Sequence, residues 1–224
     1  MNLSIRLKLI ASCLPYSSRV VDVGCDHGLL DLYILENRIA SKVIALDNKE
    51  GPLNQARLNF DKDKNTYPIE FVLSEGLEKV DANEFDAIVI AGMGGNNIAN
   101  ILLEAKNKLN NTTAIIVNPT NNFPYVRKVI NKLGFKIHSE DYIMESNKTS
   151  VIIKFVRGTE KLDARQIKYG KFYDVDKSYF FVEYLKSELK LCDKLVRKIP
   201  DKTSKKVITA AEDKIYLQTL LDKI

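Results

Sequence analysis

The feature that most constrains this chain is an alternation between short, uninterrupted apolar runs and segments of helical periodicity. Val20-Val21-Asp22-Val23, Val43-Ile44-Ala45-Leu46, Ile69 to Leu73, Ala87-Ile88-Val89-Ile90 and Ala114-Ile115-Ile116-Val117 read as five strands. Runs that lack polar alternation belong to strands covered on both faces, as in a parallel sheet between two helix layers. A first helix over Leu3 to Leu14 precedes them. Leu29 to Glu36, the segment opened by Gly51-Pro52, Ile98 to Leu109 and Phe123 to Leu133 supply connecting helices. Pro52 is tolerated in a first turn, where its missing N–H has no partner to lose, and Gly134 stops the last helix. Phe135 to Tyr142 and Val151 to Val156 are two more strands. Only a polar turn around Ser146-Asn147-Lys148 separates them, too short for a crossover, so they must pair antiparallel. The expected fold is α/β: a Rossmann-like doubly wound sheet, mostly parallel, with an antiparallel C-terminal hairpin strand. Ligands of such sheets bind beyond the carboxyl ends of the strands, at the switch point.

The tail follows another rule. Phe181, Leu185, Leu189, Cys192, Val196 and Ile199 form a helical stripe, and Val207, Ala211, Ile215 and Leu221 repeat it after a break at Pro200-Asp201. Two amphipathic helices joined by a short turn make a small αα-hairpin. Charge and glycine replace the sheet pattern between Gly158 and Arg165, so residues 1–160 and 161–224 read as two domains. Residues 1–156 hold 18 basic and 18 acidic side chains, whereas 157–224 hold 16 and 11, so the whole net charge of +5 lies in the tail. A polyanionic partner and a solvated lysine face both account for that. Tyr169, Phe172, Tyr173, Tyr179, Phe180 and Tyr184 interleave with Lys168, Lys171, Lys177 and Lys186, a pattern that suits either base stacking or helix packing.

With 224 residues, 45% of them hydrophobic, the chain can build a real core. Cys13, Cys25 and Cys192 are odd in number and scattered, which argues against a disulfide framework and for reduced thiols. Arg6 and Lys8 interrupt the apolar start, against an export signal, and no apolar run approaches the ~20 residues of a membrane helix. A soluble, cytoplasmic monomer is expected. Of the two histidines, His27 stands directly after Cys25-Asp26, where consecutive side chains cannot close around one ion, and His138 reads as a packed or half-exposed strand residue. No metal is expected.

The most informative stretch is Asp22-Val23-Gly24-Cys25-Asp26-His27-Gly28, directly after the first strand. Gly24 and Gly28 permit a tight turn and close approach of a ligand, and the next helix offers free N–H groups. The spacing is not GxGxxG, and Asp26 occupies the middle of the loop. A pyrophosphate there would meet like charge, costing on the order of 4 kcal/mol at 4 Å and an effective dielectric of 20. NAD is disfavoured. S-adenosylmethionine, phosphate-free and carrying a sulfonium cation, suits an acidic loop. Asp47, at the end of the second strand, stands where a carboxylate accepts ribose hydroxyls, and a helix cap is the alternative. Glu75 is a candidate for the adenine end, with Leu46 and Leu77 either flanking that ring or packing in the core. Gly92-Met93-Gly94-Gly95 ends the fourth strand, a concentration of glycine that implies close backbone approach to a ligand. Asn118-Pro119-Thr120 ends the fifth strand and places a carboxamide on the substrate side.

Together Leu3-Ser4-Ile5-Arg6-Leu7, Asp22 to His27, Gly51-Pro52, Ile90-Ala91-Gly92-Met93-Gly94-Gly95, Asn118-Pro119 and the helical tail resemble the bacterial tRNA (adenine(22)-N1)-methyltransferase family across nearly the whole chain. The resemblance implies a Rossmann-like class I methyltransferase domain, S-adenosylmethionine as donor, an adenine of the tRNA D-arm as acceptor and a coiled-coil-like helical tail that helps hold tRNA. It implies a cofactor set of Asp22, Gly24, Asp26, His27, Gly28, Asp47, Glu75, Gly92 and Met93. Arg6, Gly94, Pro119, Lys168 and Lys171 fall to the substrate, and Asp26 and Asn118 to catalysis. Asn118-Pro119-Thr120 departs from the family's Gln-Pro-Asn, Gly28-Leu29-Leu30-Asp31 stands where an aromatic residue and a proline are usual, and Ser150 stands where an acidic residue is expected. A tRNA-binding protein that holds the cofactor without turnover, and a methyltransferase for a small molecule or protein, are the rival readings.

Overall fold

The computed structural model describes residues 3–62, 66–145, 148–172, 178–201 and 203–224. Seven strands, β1 (Ser18–Val23), β2 (Ala40–Asp47), β3 (Ile69–Leu73), β4 (Ala87–Ala91), β5 (Ala114–Asn118), β6 (Phe135–Glu145) and β7 (Lys148–Arg157), form one sheet in the order β3-β2-β1-β4-β5-β7-β6. The first five are parallel, and β7 runs antiparallel to β5 with Ala114 opposite Val156 and Val117 opposite Ile153. Helices α1 (Ile5–Ser12), α2 (Leu29–Glu36), α3 (Glu50–Asp61), α4 (Gly95–Glu104) and α5 (Phe123–Lys132) connect or precede them. The expected doubly wound sheet with an antiparallel end is the observed one. The apolar runs of its central strands β1, β4 and β5 are buried, as the absence of polar alternation demands.

Two features differ from the sequence reading. The third connecting helix, α4, begins at Gly95, three residues earlier than its apolar pattern, and gives way to a 3₁₀ turn over Lys106–Lys108. A short helix, α6 (Ala164–Tyr169), went unread. It carries a reciprocal capping box between Asp163 and Gln166, a signal that was present in the sequence.

The chain divides into two compact units. One comprises Met1–Glu140 with Ser150–Lys171, the other Asp141–Thr149 with Phe172–Ile224. The C-terminal stretch of the second unit starts at Phe172, and the unit also takes in Asp141–Thr149 from β6 and β7. Within it, Tyr142 stacks against Phe181 and Tyr184 with ring centroids 4.9 and 5.1 Å apart. Helices α7 (Tyr179–Lys198) and α8 (Lys205–Leu221) form the expected pair, linked by Lys214 Nζ to Asp193 Oδ1 at 2.6 Å. The stripe of α8 is corrected: Val207, Ala210, Leu217 and Leu220 are buried, while Ile215 is 70% exposed. Steps of four residues overshoot a 3.6-residue turn by about 40° each, so Ala211 and Ile215 drift off the face that a 3.5-residue spacing keeps.

Candidate functional site

The loop after β1 is pinned by its neighbour strand. Gly24 N–H and Cys25 N–H both donate to the Leu46 carbonyl of β2, at 2.8 and 2.9 Å, and Gly28 N–H closes the turn on the Cys25 carbonyl at 2.9 Å. Gly24, Asp26 and Gly28 have positive φ, 79°, 53° and 66°. Aspartate is one of the few side chains that tolerates this region, so Asp26 can occupy the middle of the loop and remain exposed. Its Oδ1 lies 3.5 Å from His27 Nε2.

The carboxyl ends of β1 to β4 open onto two joined cavities. One, about 420 Å³, is walled by Arg6, Leu7, Asp22, Gly24, Asp26, His27, Asp47, Ala91, Gly92 and Met93, among others. The other, about 460 Å³, adds Ser74, Glu75 and Gly76 after β3 and Asn97, Asn100, Ile101 and Glu104 from α4. Gly24, Asp47, Asn48, Lys49 and Met93 belong to both. The Met93 methyl lies so close over Gly24 that a Cβ there would overlap it. Asp47 accepts the Lys49 N–H at 3.0 Å, which holds the turn into α3, and Glu75 Oε2 accepts from Asn48 Nδ2 at 3.1 Å.

Behind the loop lie buried acids. Burial pushes the Asp22 carboxyl up to about 7, opposed by its hydrogen bond with Asp31 and aided by the nearby Asp47 charge. Burial and the Asp22 charge raise Asp31 well above the carboxylate range. The Cys25 thiol is also driven far up, by burial and by Asp31, Asp22 and Asp47, which leaves it un-ionised and inert. Cys13, Cys25 and Cys192 are all buried, and none is in a disulfide.

Of the expected cofactor residues, Asp22, Gly24, Asp26, His27, Asp47, Glu75, Gly92 and Met93 line these cavities. Gly28 does not. It is buried, and a Cβ on it would come within 2.9 Å of the Ala56 Cβ, so it serves the packing of α2 on α3. Leu46 is wholly buried in the sheet.

The substrate-side expectations fare less evenly. Arg6 reaches the first cavity, whereas Gly94 caps α4 and Pro119 is buried, neither being in a cavity wall. Asn118 is 3% exposed, and its carboxamide is engaged by Arg6, Ser150 and Val151 instead of facing open space. Lys171 Nζ bonds Glu160 at 2.7 Å and the Ile137 carbonyl at 2.9 Å, and its N–H bonds Glu140, so its charge is spent within the fold. Lys168 sits over the Tyr169 ring, 5.4 Å from its centroid, on α6. Tyr169 and Tyr184 are core residues, Tyr179 and Phe180 are exposed, and Tyr173 and Lys177 lie outside the described residues. His138 is exposed, further out than the packed or half-exposed position expected for it.

Sequence reasoning missed Asn48, Lys49, Asn97, Asn100 and Glu104. The last three recur at three and four residues on α4, a polar face that was legible once the helix is begun at Gly95. Among the described residues no group of three or more His, Cys, Asp or Glu side chains could hold a metal ion, and no helix is long and apolar enough to cross a membrane.

This geometry coincides with a sequence match to the methyltransferase-domain profile over residues 3–153. The chain belongs to the methyltransferase-domain family. It is 33% identical over 148 residues to the tRNA (adenine(22)-N(1))-methyltransferase of Bacillus subtilis, covering 66% of this chain and 62% of that protein. The matched stretch thus spans about three-fifths of that curated relative. The crystal structure of the B. subtilis m1A22 tRNA methyltransferase superposes with a TM-score of 0.87 at 26% identity, over 99% of both chains. A Streptococcus pneumoniae protein crystallised in complex with S-adenosyl-L-methionine gives 0.88 at 28% identity, over 98% of this chain and all of that one. The methyltransferase resemblance carried by the loop and glycine motifs is upheld.

Proposed function

We propose that this protein transfers a methyl group from S-adenosylmethionine to N1 of an adenine, adenine-22, in the D-arm of tRNA. The observation that carries the reading is the convergence of the acid-bearing loop after β1 and the glycine-rich end of β4 on one pair of joined cavities at the switch point of the sheet. Their volumes, about 420 and 460 Å³, lie in the range of small-molecule sites.

The residues fit the cofactor. Gly92, at φ 75°, has nothing within 4 Å of where a Cβ would stand, a backbone position left open to a ligand. Asp26, Asp47, Glu75 and Glu104 make the walls acidic, which favours a sulfonium and an ammonium group and repels a diphosphate. Gly24, Asp47, Asn48, Glu75 and Met93 would hold the cofactor, with the Asp47 and Glu75 carboxylates as acceptors for hydroxyl and amino groups. When bound, S-adenosylmethionine supplies an electrophilic methyl group.

Adenine N1 keeps its lone pair at neutral pH, so no obligatory base is required. Positioning can supply up to roughly 7–11 kcal/mol of the barrier reduction. The target base must leave its stack to reach the cavity. Asp26, exposed in the cavity wall, sets a carboxylate against the positive charge that methylation creates on the ring.

The test is to incubate the protein with methyl-labelled cofactor and unmodified tRNA transcripts, then map the labelled nucleoside. Label is expected as 1-methyladenosine at position 22. Label elsewhere, or none in any transcript, overturns the reading.

A further inference from the structure

We infer that Asn118 acts through Arg6: it is a positioning residue that presents the Arg6 guanidinium to the cavity, where Arg6 grips a backbone phosphate of the RNA. The inference rests on the tRNA reading above and assigns Asn118 a different task from handling the base.

Three contacts occupy the Asn118 carboxamide. Its Oδ1 accepts from Arg6 Nη1 at 2.9 Å, and its Nδ2 donates to Ser150 Oγ at 2.8 Å and to the Val151 carbonyl at 2.9 Å. A carbonyl can only accept, so the Val151 contact dictates that the amide nitrogen faces β7 and the oxygen faces α1. Both N–H donors are spent on β7, and the residue is 3% exposed. No donor is left for the edge of a base. What the amide delivers is a fixed acceptor for a cation.

Arg6 lies in the first turn of α1, half-buried in the wall shared with Asp26, His27, Gly92 and Met93. Among the described residues Arg6 and Lys49 are the arginine and lysine side chains of a wall that also carries the Asp26 and Asp47 carboxylates. Acid on that scale repels a phosphodiester, and a guanidinium is the side chain that reverses this locally, with a planar fork that matches phosphate oxygens. Arg6 does not suit the base itself. A guanidinium only donates, whereas N1 must keep its lone pair, and a cation beside N1 opposes the charge that methylation creates.

The experiment compares the wild type with Arg6→Ala, Asn118→Ala, the double variant and Ser150→Ala. tRNA affinity is measured by filter retention at several salt concentrations, beside steady-state kinetics, cofactor titration and melting temperature. Arg6→Ala is expected to weaken tRNA binding roughly tenfold and to lower the log–log salt slope by about 0.7–0.9, one phosphate contact. Asn118→Ala should reproduce both changes, and the double variant should be no worse than Arg6→Ala alone. In every variant the rise falls on KM for tRNA, with kcat and cofactor affinity held. Ser150→Ala, which loosens the amide without touching Arg6, should shift affinity the same way by less, and it serves if Asn118→Ala does not fold.

Wild-type affinity and slope in Asn118→Ala and Ser150→Ala would overturn the inference. So would a hundredfold loss of kcat at unchanged KM, or additive effects in the double variant. If the wild type binds tRNA but methylates none, the functional reading fails, while the affinities and slopes still judge the Arg6–Asn118 coupling. Absence of tRNA binding by the wild type overturns both.

Discussion

Asp31, in the first turn of α2, faces Asp22 of β1, and both carboxyls are buried. Within the described residues Asp22 is the neighbour that shares a proton with it, and both oxygens of Asp31 are otherwise unpartnered. Asp22 is pushed up to about 7, so the folded protein retains a proton that the unfolded chain releases near 3.8. More protons bound in the folded state means that stability falls as pH rises between those values. Folding free energy from urea titration should therefore drop from pH 5 to pH 8. Asp31→Asn should flatten that slope and stabilise the protein at pH 8 by roughly 2–4 kcal/mol. An unchanged slope in Asp31→Asn would show that the pair is not its source.

Two loop glycines should fail differently. Gly28→Ala forces a Cβ against Ala56 at positive φ and should cost about 2 kcal/mol or more of stability. Gly92→Ala meets no atom within 4 Å, so its folding cost should be limited to about 1–2 kcal/mol of backbone strain. Its methyl intrudes on the cavity instead, and calorimetry should record at least a tenfold loss of cofactor affinity. Equal effects of the two on melting temperature and on binding would contradict this division of roles.

The buried pair Arg127–Glu140, at 2.6 Å with side chains 0% and 1% exposed, ties α5 to β6. Arg127 Nη1 also bonds the carbonyls of Ile167 and Lys168 at the end of α6. Arg127→Met strands the Glu140 charge and should cost about 3–5 kcal/mol, seen as a melting point lower by about 10 °C. Replacing both residues together, as Met and Leu, should recover most of that loss. Failure to recover would mean that the carbonyl contacts, and not the stranded charge, dominate.

Lys186, Lys190, Lys194 and Lys198 recur every fourth residue along α7 and are exposed. If the basic excess of the tail holds tRNA, Lys190→Glu with Lys194→Glu should weaken tRNA binding and lower the salt slope by about 1.4–1.8. Cofactor affinity should not move. Wild-type tRNA binding in this pair would make the lysine row a solvated face.

The sequence disclosed what is encoded locally. Asp22 to Gly28 and Gly92 to Gly95 announced the site because a turn at positive φ must be written into adjacent residues. The buried strands announced the sheet because nothing polar interrupts them. The engagement of Asn118 is not legible in the sequence because its partners, Arg6 and Ser150, stand 112 and 32 residues away, and only the fold brings them together. Lys171 looked available for the same reason: Glu160 and Glu140 neutralise it through tertiary contact. In α8 a spacing of four hid the true face, and the drift became visible only with Ile215 exposed.

The most direct test of the account is a calorimetric titration of the purified protein with S-adenosylmethionine and, separately, with NAD. Saturable binding of the sulfonium compound at one site per chain, with no heat from the dinucleotide, is the predicted result. Tight capture of NAD and indifference to S-adenosylmethionine would contradict it.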